Sequence, residues 1–119
     1  NWLRLIPDVH AQPAQLLPTQ HPETHQPLDL SSAVLRGVSP CHLQYLKNMG
    51  VAASMTISLI NEKHLWGLIA CHHYTPRFID YEVRKACEFL GQFASIELVH
   101  QEDLELSQYR KQVKFIQSQ

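Results

Sequence analysis

The sequence has little net charge, no long apolar run and no closely spaced cysteine pair. Its formal net charge of -1 disfavours nucleic acid or an acidic membrane surface as the main partner. Apolar stretches such as "LWGLIAC" are far too short to cross a bilayer, and no leader segment opens the chain. The three cysteines form no CxxC motif and are odd in number, which favours a reducing compartment over a disulfide framework. We therefore expect a cytoplasmic protein.

Length and composition are those of one globular domain or of part of one. The 119 residues are 45% hydrophobic and 18% charged, which suffices for a single core. The sequence begins with Asn1 rather than Met, which favours a piece of a longer polypeptide.

The first part of the sequence predicts a short strand and then a long loop. Residues 1–6, "NWLRLI", alternate as a strand does, and Pro7 ends the pattern. Five prolines from Pro7 to Pro27 exclude a long helix or a central strand. Loops of this length inside a domain are usually functional or mobile. Residues 28–35 fit a short strand or a short helix.

A short helix is predicted over residues 40–49. Ser39 before Pro40 favours a helix start, because serine can cap free amides and proline loses no hydrogen bond at the first helical position. Gly50 suits the left-handed residue that ends many helices. Lys47 would lie near the negative end of the helix dipole.

Two strands that pair as an antiparallel hairpin are predicted next, joined by the turn "NEKH". Residues 52–60 alternate, so that one face is apolar and the other carries hydroxyl groups. The hydroxyl face is formed by Ser54, Thr56 and Ser58. Residues 65–74, "LWGLIACHHY", are apolar on both faces, which favours a central and buried strand. In that strand, Trp66 and His72 are predicted to share one face.

A long amphipathic helix is predicted from residue 80 to the end of the chain. Asp80 can cap its start, and apolar residues follow the helical period as far as Leu98. Beyond His100 the pattern continues with fewer apolar residues, as in a connector or a helix that pairs with another helix. We expect a homodimer through this helix.

Cys41 and His42 open the predicted short helix. The dipole and the unpaired amides at a helix start favour the thiolate form, which makes Cys41 a candidate nucleophile. A half-buried structural cysteine is the alternative. Helical spacing places Cys41 on the same face as Tyr45 and Met49, so a ligand there would meet sulfur, phenol and thioether together.

Two other chemistries are disfavoured for these residues. A Cys/His hydrolase needs its histidine across a cleft from the cysteine, with an oxyanion site and a third orienting group. The adjacent Cys41 and His42 offer none of these three. A zinc site drawn from these two and Cys71, His72 and His73 has suitable ligand types. Neighbouring residues of a strand point to opposite faces, however, and cannot all reach one ion. We therefore predict no metal site.

Arg4 and Arg36 are the candidate anion ligands, because guanidinium groups pair bidentately with carboxylates. Solvation at the surface is the alternative for lone arginines. His72 is either a hydrogen-bonded core histidine or a functional one. The hydroxyls of Ser54 and Thr56 line a site or form no more than a polar sheet face.

Taken together, these motifs resemble the bilin-binding GAF domain of cyanobacterial phytochromes. The resemblance is carried, in order, by "RLIPDV", "LRGVSPCHLQYLKNMGVAASMTISLI", "LWGLIACHHYTPR" and "EVRKACEFLGQ". It implies an α+β GAF fold, with helices on one face of a central antiparallel sheet and a bilin pocket on the other. Residues 1–100 would form the domain, and residues 101–119 a helical extension or linker. The family's "DIP" motif is not found here, so the N-terminal part of the domain is expected to be missing from this sequence.

The resemblance also implies a role for each candidate residue. Cys41 would add to the vinyl-type side chain of ring A of a linear tetrapyrrole to form a thioether, and His42 would pack against the pyrrole nitrogens. The two arginines would pair with the propionates, two hydroxyls would donate nearby, and a histidine and a tyrosine would lie at ring D. The implied chromophore-binding set is Arg4, Arg36, His42, Tyr45, Met49, Ser54, Thr56 and His72.

The function implied by the resemblance is that of a red/far-red photoreceptor module. Its pigment would be phycocyanobilin or a related phytobilin, attached without a separate lyase and isomerised by light between rings C and D. The parent protein would add a PHY domain and a histidine kinase, while this sequence itself has no enzyme activity. The alternative is a GAF domain that binds a cyclic nucleotide or haem, or only dimerises, and it predicts no thioether and no visible absorption band.

Overall fold

A three-stranded antiparallel sheet is the centre of the fold, and a long helix crosses one of its faces. The computed structural model describes residues 2–119, and Asn1, with which the first predicted strand begins, lies outside them. In chain order, the elements within residues 2–119 are β1 (Leu3–Ile6), α1 (Pro40–Asn48), β2 (Ala53–Asn61), β3 (His64–His73) and α2 (Tyr81–Gln117). This arrangement confirms the predicted α+β class.

The predicted hairpin of β2 and β3 is confirmed, but the position predicted for β3 is wrong. The strand order is β1-β2-β3, so β2 is central and β3 lies at an edge of the described sheet. Leu68 of β3 is 55% exposed and Trp66 is 49% exposed. An apolar pattern shows that a strand has surface to bury but not which element buries it. Because β1 and β3 both pair with β2, β2 rather than β3 has a partner on each edge.

One face of the sheet carries the larger hydrophobic cluster. Residues directly opposite each other in an antiparallel pair project to the same face, and the register joins Leu3 to Ile57 and Leu5 to Met55. These four buried side chains pack together with the half-buried Cys87 of α2. The helix therefore covers this face of the sheet. The alternate residues of the strands project from the opposite face, which α2 does not cover.

Helix α2 approaches the sheet closely at Gly91 and Ser95. A Cβ at Gly91 would overlap Cγ2 of Ile57, so the missing side chain is what permits this approach. The Ser95 hydroxyl accepts a hydrogen bond from the Ile60 amide over 3.0 Å and donates one to the Gly91 carbonyl over 2.7 Å. Helix and sheet are thus joined by packing and by hydrogen bonds within one turn.

Helix α1 is held mainly by Leu46, with the half-buried Leu43 packed against the same cluster. Leu46 is 1% exposed and packs in a second cluster, which ties α1 to the end of β1 and the segment after it. The other buried members of this cluster are Ile6, Val9 and Val51. The remaining side of α1 faces solvent, because the residues around Leu46 other than Leu43 are exposed.

The ends of both helices follow local chemistry, with one exception. Gly50 takes a φ of 70° after α1, as predicted, and Asp80 caps α2 by accepting a hydrogen bond from the Val83 amide over 2.9 Å. The predicted side-chain cap by Ser39 is wrong, since within residues 2–119 its hydroxyl makes no capping hydrogen bond. The fixed backbone angle of Pro40 starts α1 without it.

The segment between β1 and α1 is a long loop, as its prolines predicted. Residues 7–39 contain turns and bends but no helix or strand, so neither alternative for residues 28–35 is realised. Anywhere in the described chain, no helix is both long and apolar enough to cross a membrane.

Candidate functional site

The sheet face that α2 leaves uncovered carries four of the candidate residues. Arg4 of β1 lies opposite Thr56 of β2, and Ser54 of β2 lies opposite His72 of β3. Because paired residues project to the same side, one arginine, two hydroxyls and one imidazole share this face. The hydroxyl alternation was visible in the sequence, whereas the registers that add Arg4 and His72 depend on strand pairing.

Arg4 is half-buried and only partly satisfied. Its Nη2 donates hydrogen bonds to the carbonyl oxygens of Gly37, over 2.8 Å, and of Arg36, over 3.3 Å. Its Nη1 is buried and has no hydrogen-bond partner among residues 2–119. A buried donor without a partner is costly, and more so when it belongs to a charged group.

The electrostatic surroundings of Arg4 leave its positive charge uncompensated. Burial, and after it the neighbouring Arg36 guanidinium, lowers the pKa of Arg4 from its ordinary value. A guanidinium still keeps its proton in proteins, so the lowered pKa shows that the charged form lacks a stabilising anion. Within residues 2–119 no acidic side chain forms an ion pair with either arginine. The pair is therefore suited to a carboxylate supplied from outside these residues.

Arg36 approaches Arg4 from the end of the proline-rich loop. It is half-buried, and its Nη1 donates a hydrogen bond to the Ala33 carbonyl over 2.6 Å. Together with Leu43 of α1 and residues of the loop, it lines a cleft of about 820 Å³. The sequence predicted both arginines as anion ligands, and only the family resemblance implied that they lie near each other at a pocket; no local pattern indicated it.

The remaining candidate residues lie on the exposed side of α1. Cys41 is the second residue of the helix, and its thiol is exposed. The rings of His42 and Tyr45 stack with centroids 6.2 Å apart and an interplanar angle of 19°. Met49 follows the helix end and is also exposed. The predicted grouping of thiol, phenol and thioether on α1 thus stands clear of the core that holds Leu46.

His73 and Arg77 lie on the other side of the sheet from His72. Nδ1 of His73 lies 3.2 Å from the Thr75 amide and 2.9 Å from its carbonyl oxygen, while its Nε2 is 3.4 Å from Nη1 of Arg77. His73 is directly paired with Ala53, on the apolar face. The two adjacent histidines are therefore separated by the sheet, as strand alternation predicted.

Comparison with known proteins defines the class of this chain. The sequence model of the GAF domain family matches residues 2–98, and the chain therefore belongs to the GAF domain family. Within it, the chain is similar to phytochromes. It is 55% identical over 118 residues to cyanobacterial phytochrome B of Nostoc sp., which is 99% of this chain and 16% of that protein.

Further relatives and solved structures agree with this assignment. The phytochrome-like protein Cph1 of Synechocystis sp. is 52% identical over 113 residues, 95% of this chain and 15% of that protein. The chromophore-binding domain of the bacteriophytochrome RpBphP3 from R. palustris superposes with a TM-score of 0.83 at 46% identity, covering 87% of this chain and 35% of that one. These comparisons confirm the predicted GAF fold and the resemblance to cyanobacterial phytochromes. The chain spans less than a fifth of these two curated relatives.

Proposed function

We propose that this chain is the pigment-binding part of a red/far-red photoreceptor and holds a linear tetrapyrrole through Cys41. The observation that carries the proposal is the buried, unpartnered Nη1 of Arg4 beside the Arg36 guanidinium. A linear tetrapyrrole bears two propionates, and this site offers two guanidinium groups with no acidic partner within residues 2–119. The similarity to proteins named phytochromes supports the same conclusion.

The residues present fit such a ligand. Arg4 and Arg36 would pair with the propionates, and Ser54 and Thr56 would donate hydrogen bonds on the same sheet face. His72 shares that face and would hydrogen-bond to the ring D carbonyl. The stacked rings beside the thiol provide a flat surface on α1 for the conjugated rings. His42, Tyr45 and Met49 would form that surface.

Cys41 would make the covalent attachment. The Cys41 thiol, exposed at the second position of α1, would add across the carbon–carbon double bond of the unsaturated side chain of ring A, with the sulfur bonding to one carbon and the thiol proton going to the neighbouring carbon. The addition needs no oxidant and no leaving group, and we propose, from the resemblance to phytochromes, that it proceeds without a separate lyase. Attachment through this segment favours phycocyanobilin or a related phytobilin. Once bound, the pigment supplies light absorption and isomerisation of the double bond between rings C and D.

Helix α2 would pass the response onward. We assign residues 1–100 to the GAF domain, of which the family model matches residues 2–98, and residues 101–119 to a helical linker toward a PHY domain and a histidine kinase of the same polypeptide. The linker has exposed apolar side chains that a second copy could cover: Leu104, Leu106, Tyr109, Phe115 and Ile116. A homodimer is expected, and sedimentation velocity at increasing concentration checks it. A mass that stays monomeric at high concentration would contradict this part of the proposal.

The test of the proposal is assembly with phycocyanobilin. The chain within its complete polypeptide is expected to become coloured, to retain the pigment after denaturation, and to change its absorption reversibly under red and far-red light. Arg4→Lys is expected to slow attachment about tenfold, since lysine keeps the charge but cannot both hold the 36–37 backbone and pair with a carboxylate.

Arg77→Lys is the matched control for this experiment. Arg77 is exposed and its Nη1 lies 3.4 Å from Nε2 of His73, which projects away from the face that carries Arg4, so its replacement should leave the attachment rate unchanged. Equal rates for the Arg4 variant and the unaltered protein would contradict the role given to Arg4. A complete absence of pigment and of a visible band in the unaltered protein would instead favour a GAF domain that binds another ligand or only dimerises.

A further inference from the structure

We infer that Trp66 of β3 and Glu102 of α2 form a latch that sets the direction of the distal part of α2 relative to the sheet. The indole Nε1 of Trp66 donates a hydrogen bond to Oε1 of Glu102 over 3.1 Å, across 36 positions in the sequence. Both residues are exposed, so the bond can open without disturbing the core. The inference concerns the fold itself, and only its last step depends on the proposed photoreceptor function.

A bulge in the hairpin turns Trp66 toward α2. Strict alternation places Trp66 on the same face as Leu68 and His72, away from the helix. The register shifts between Leu59 and Ile60, so that Leu65 pairs with Ile60 and Trp66 is left without a partner in the ladder. The predicted face of Trp66 is therefore wrong: its side chain lies against α2, where it lines one small cavity with Leu98 and Val99.

This side chain spans a gap that the backbones leave open. Within residues 2–119, no Cα atom of β3 lies within 8 Å of a Cα atom of α2. The sheet residues that α2 does approach belong to β2 and β1. Trp66 thus connects the edge strand to the helix through one hydrogen bond and the contact of its indole.

The latch occupies the end of the stripe of α2 that faces the sheet. Ser95, Leu98, Val99 and Glu102 follow each other at helical spacing, so they share one face of the helix. Ser95 is buried and bonded to β2, which makes it a fixed attachment. Glu102 is two turns further on. Past it, every residue of α2 is exposed except Val113, which is half-buried.

The buried bond at Ser95 fixes one point of α2, and the exposed bond at Glu102 can open or close beyond it. With Ser95 held, the direction of residues 103–117 depends on whether Glu102 is bonded to Trp66. Trp66 is six residues from His72 along β3, and His72 faces the proposed pigment site. A displacement of the edge strand at His72 would therefore reach the linker through the latch, because Trp66 bridges the gap of more than 8 Å between the Cα atoms of β3 and those of α2 within residues 2–119.

Hydrogen exchange in the complete polypeptide tests the latch. Glu102→Ala and Trp66→Phe are each expected to raise the amide exchange rate of residues 103–112 about fivefold in the dark, as suits the loss of one exposed hydrogen bond to a charged group. Alanine favours the helix at least as well as glutamate does, so faster exchange would not come from lost helix propensity. Glu102→Gln keeps an acceptor oxygen and is expected to retain the slow rate.

Glu105→Ala is the control, since it removes an exposed carboxylate one turn further along the same helix. Exchange that is unaffected by Glu102→Ala and Trp66→Phe, or an equal effect of Glu105→Ala, would overturn the latch. Pigment attachment is read on the same samples and is expected to be equal in all variants. The light-induced change in exchange of residues 103–112 should be lost in both Trp66→Phe and Glu102→Ala, and its persistence in either variant would overturn the coupling step. If no variant takes up pigment, the dark comparison still decides the latch, and only the proposed function has failed.

Discussion

Cys41→Ala is expected to abolish covalent attachment of the pigment completely. The thiol is the nucleophile in the proposed addition, and alanine offers no atom that could form the bond. The rest of the site would persist, because Cys41 is exposed at the start of α1 and contributes nothing to the core that holds Leu46. A denatured protein band from cells that make phycocyanobilin should fluoresce with zinc for the unaltered chain and be dark for the variant.

A second exposed cysteine provides the control for this experiment. Cys71→Ala serves as the matched control, since this second exposed cysteine is paired with Met55 on the α2 side of the sheet. Its band is expected to be as bright as that of the unaltered chain. Fluorescence that persists in Cys41→Ala but disappears in Cys71→Ala would place the attachment on the wrong side of the sheet for the proposed site and would contradict it.

Gly91→Val is expected to lower the free energy of unfolding by about 3 kcal/mol, toward the upper end of the range for an overpacked core. Its Cβ alone would overlap Cγ2 of Ile57, which is buried and branches next to the backbone, so neither group can move without shifting the helix. Helix propensity by itself predicts almost no change, because valine and glycine are both poor helix formers. The midpoint of urea unfolding measures the difference.

A second glycine provides the control for this loss of stability. A Cβ at Gly37 would meet no atom within 4 Å, and this residue is exposed. Gly37→Val is therefore expected to change the unfolding midpoint little. A Gly91 variant as stable as the unaltered chain would show that α2 does not approach the sheet as closely as the structure has it, and the fixed attachment at Ser95 would have to be abandoned with it.

The parts of the fold that were predicted correctly are those governed by neighbouring residues. The start of α1 at Pro40, its end before Gly50 and the cap of α2 by Asp80 each depend on one or two positions and the backbone geometry they favour. The hairpin of β2 and β3 also follows from local alternation and a short turn. Such features need no knowledge of the rest of the chain.

Apart from the missing Ser39 cap, the two larger errors concern elements that depend on distant partners. The burial of β3 was predicted from its apolar residues. The strand β1, about fifty positions before β2, pairs with the other edge of β2, so β2 is central and β3 lies at an edge of the described sheet. The face of Trp66 was predicted from alternation, and a one-residue bulge reversed it. In both cases the deciding contact is with a segment whose pairing leaves no local pattern.

The candidate site divides in the same way. The sequence by itself determined which chemical groups are available: a thiol at a helix start, two arginines, a hydroxyl face and a histidine on the neighbouring strand. Only the tertiary structure decided that Arg4 shares a face with Thr56 and lies beside Arg36, with one buried nitrogen left unpaired. The physical reason is that residue chemistry and backbone preference act over a few positions, whereas burial and charge proximity depend on strand register and loop closure across the chain.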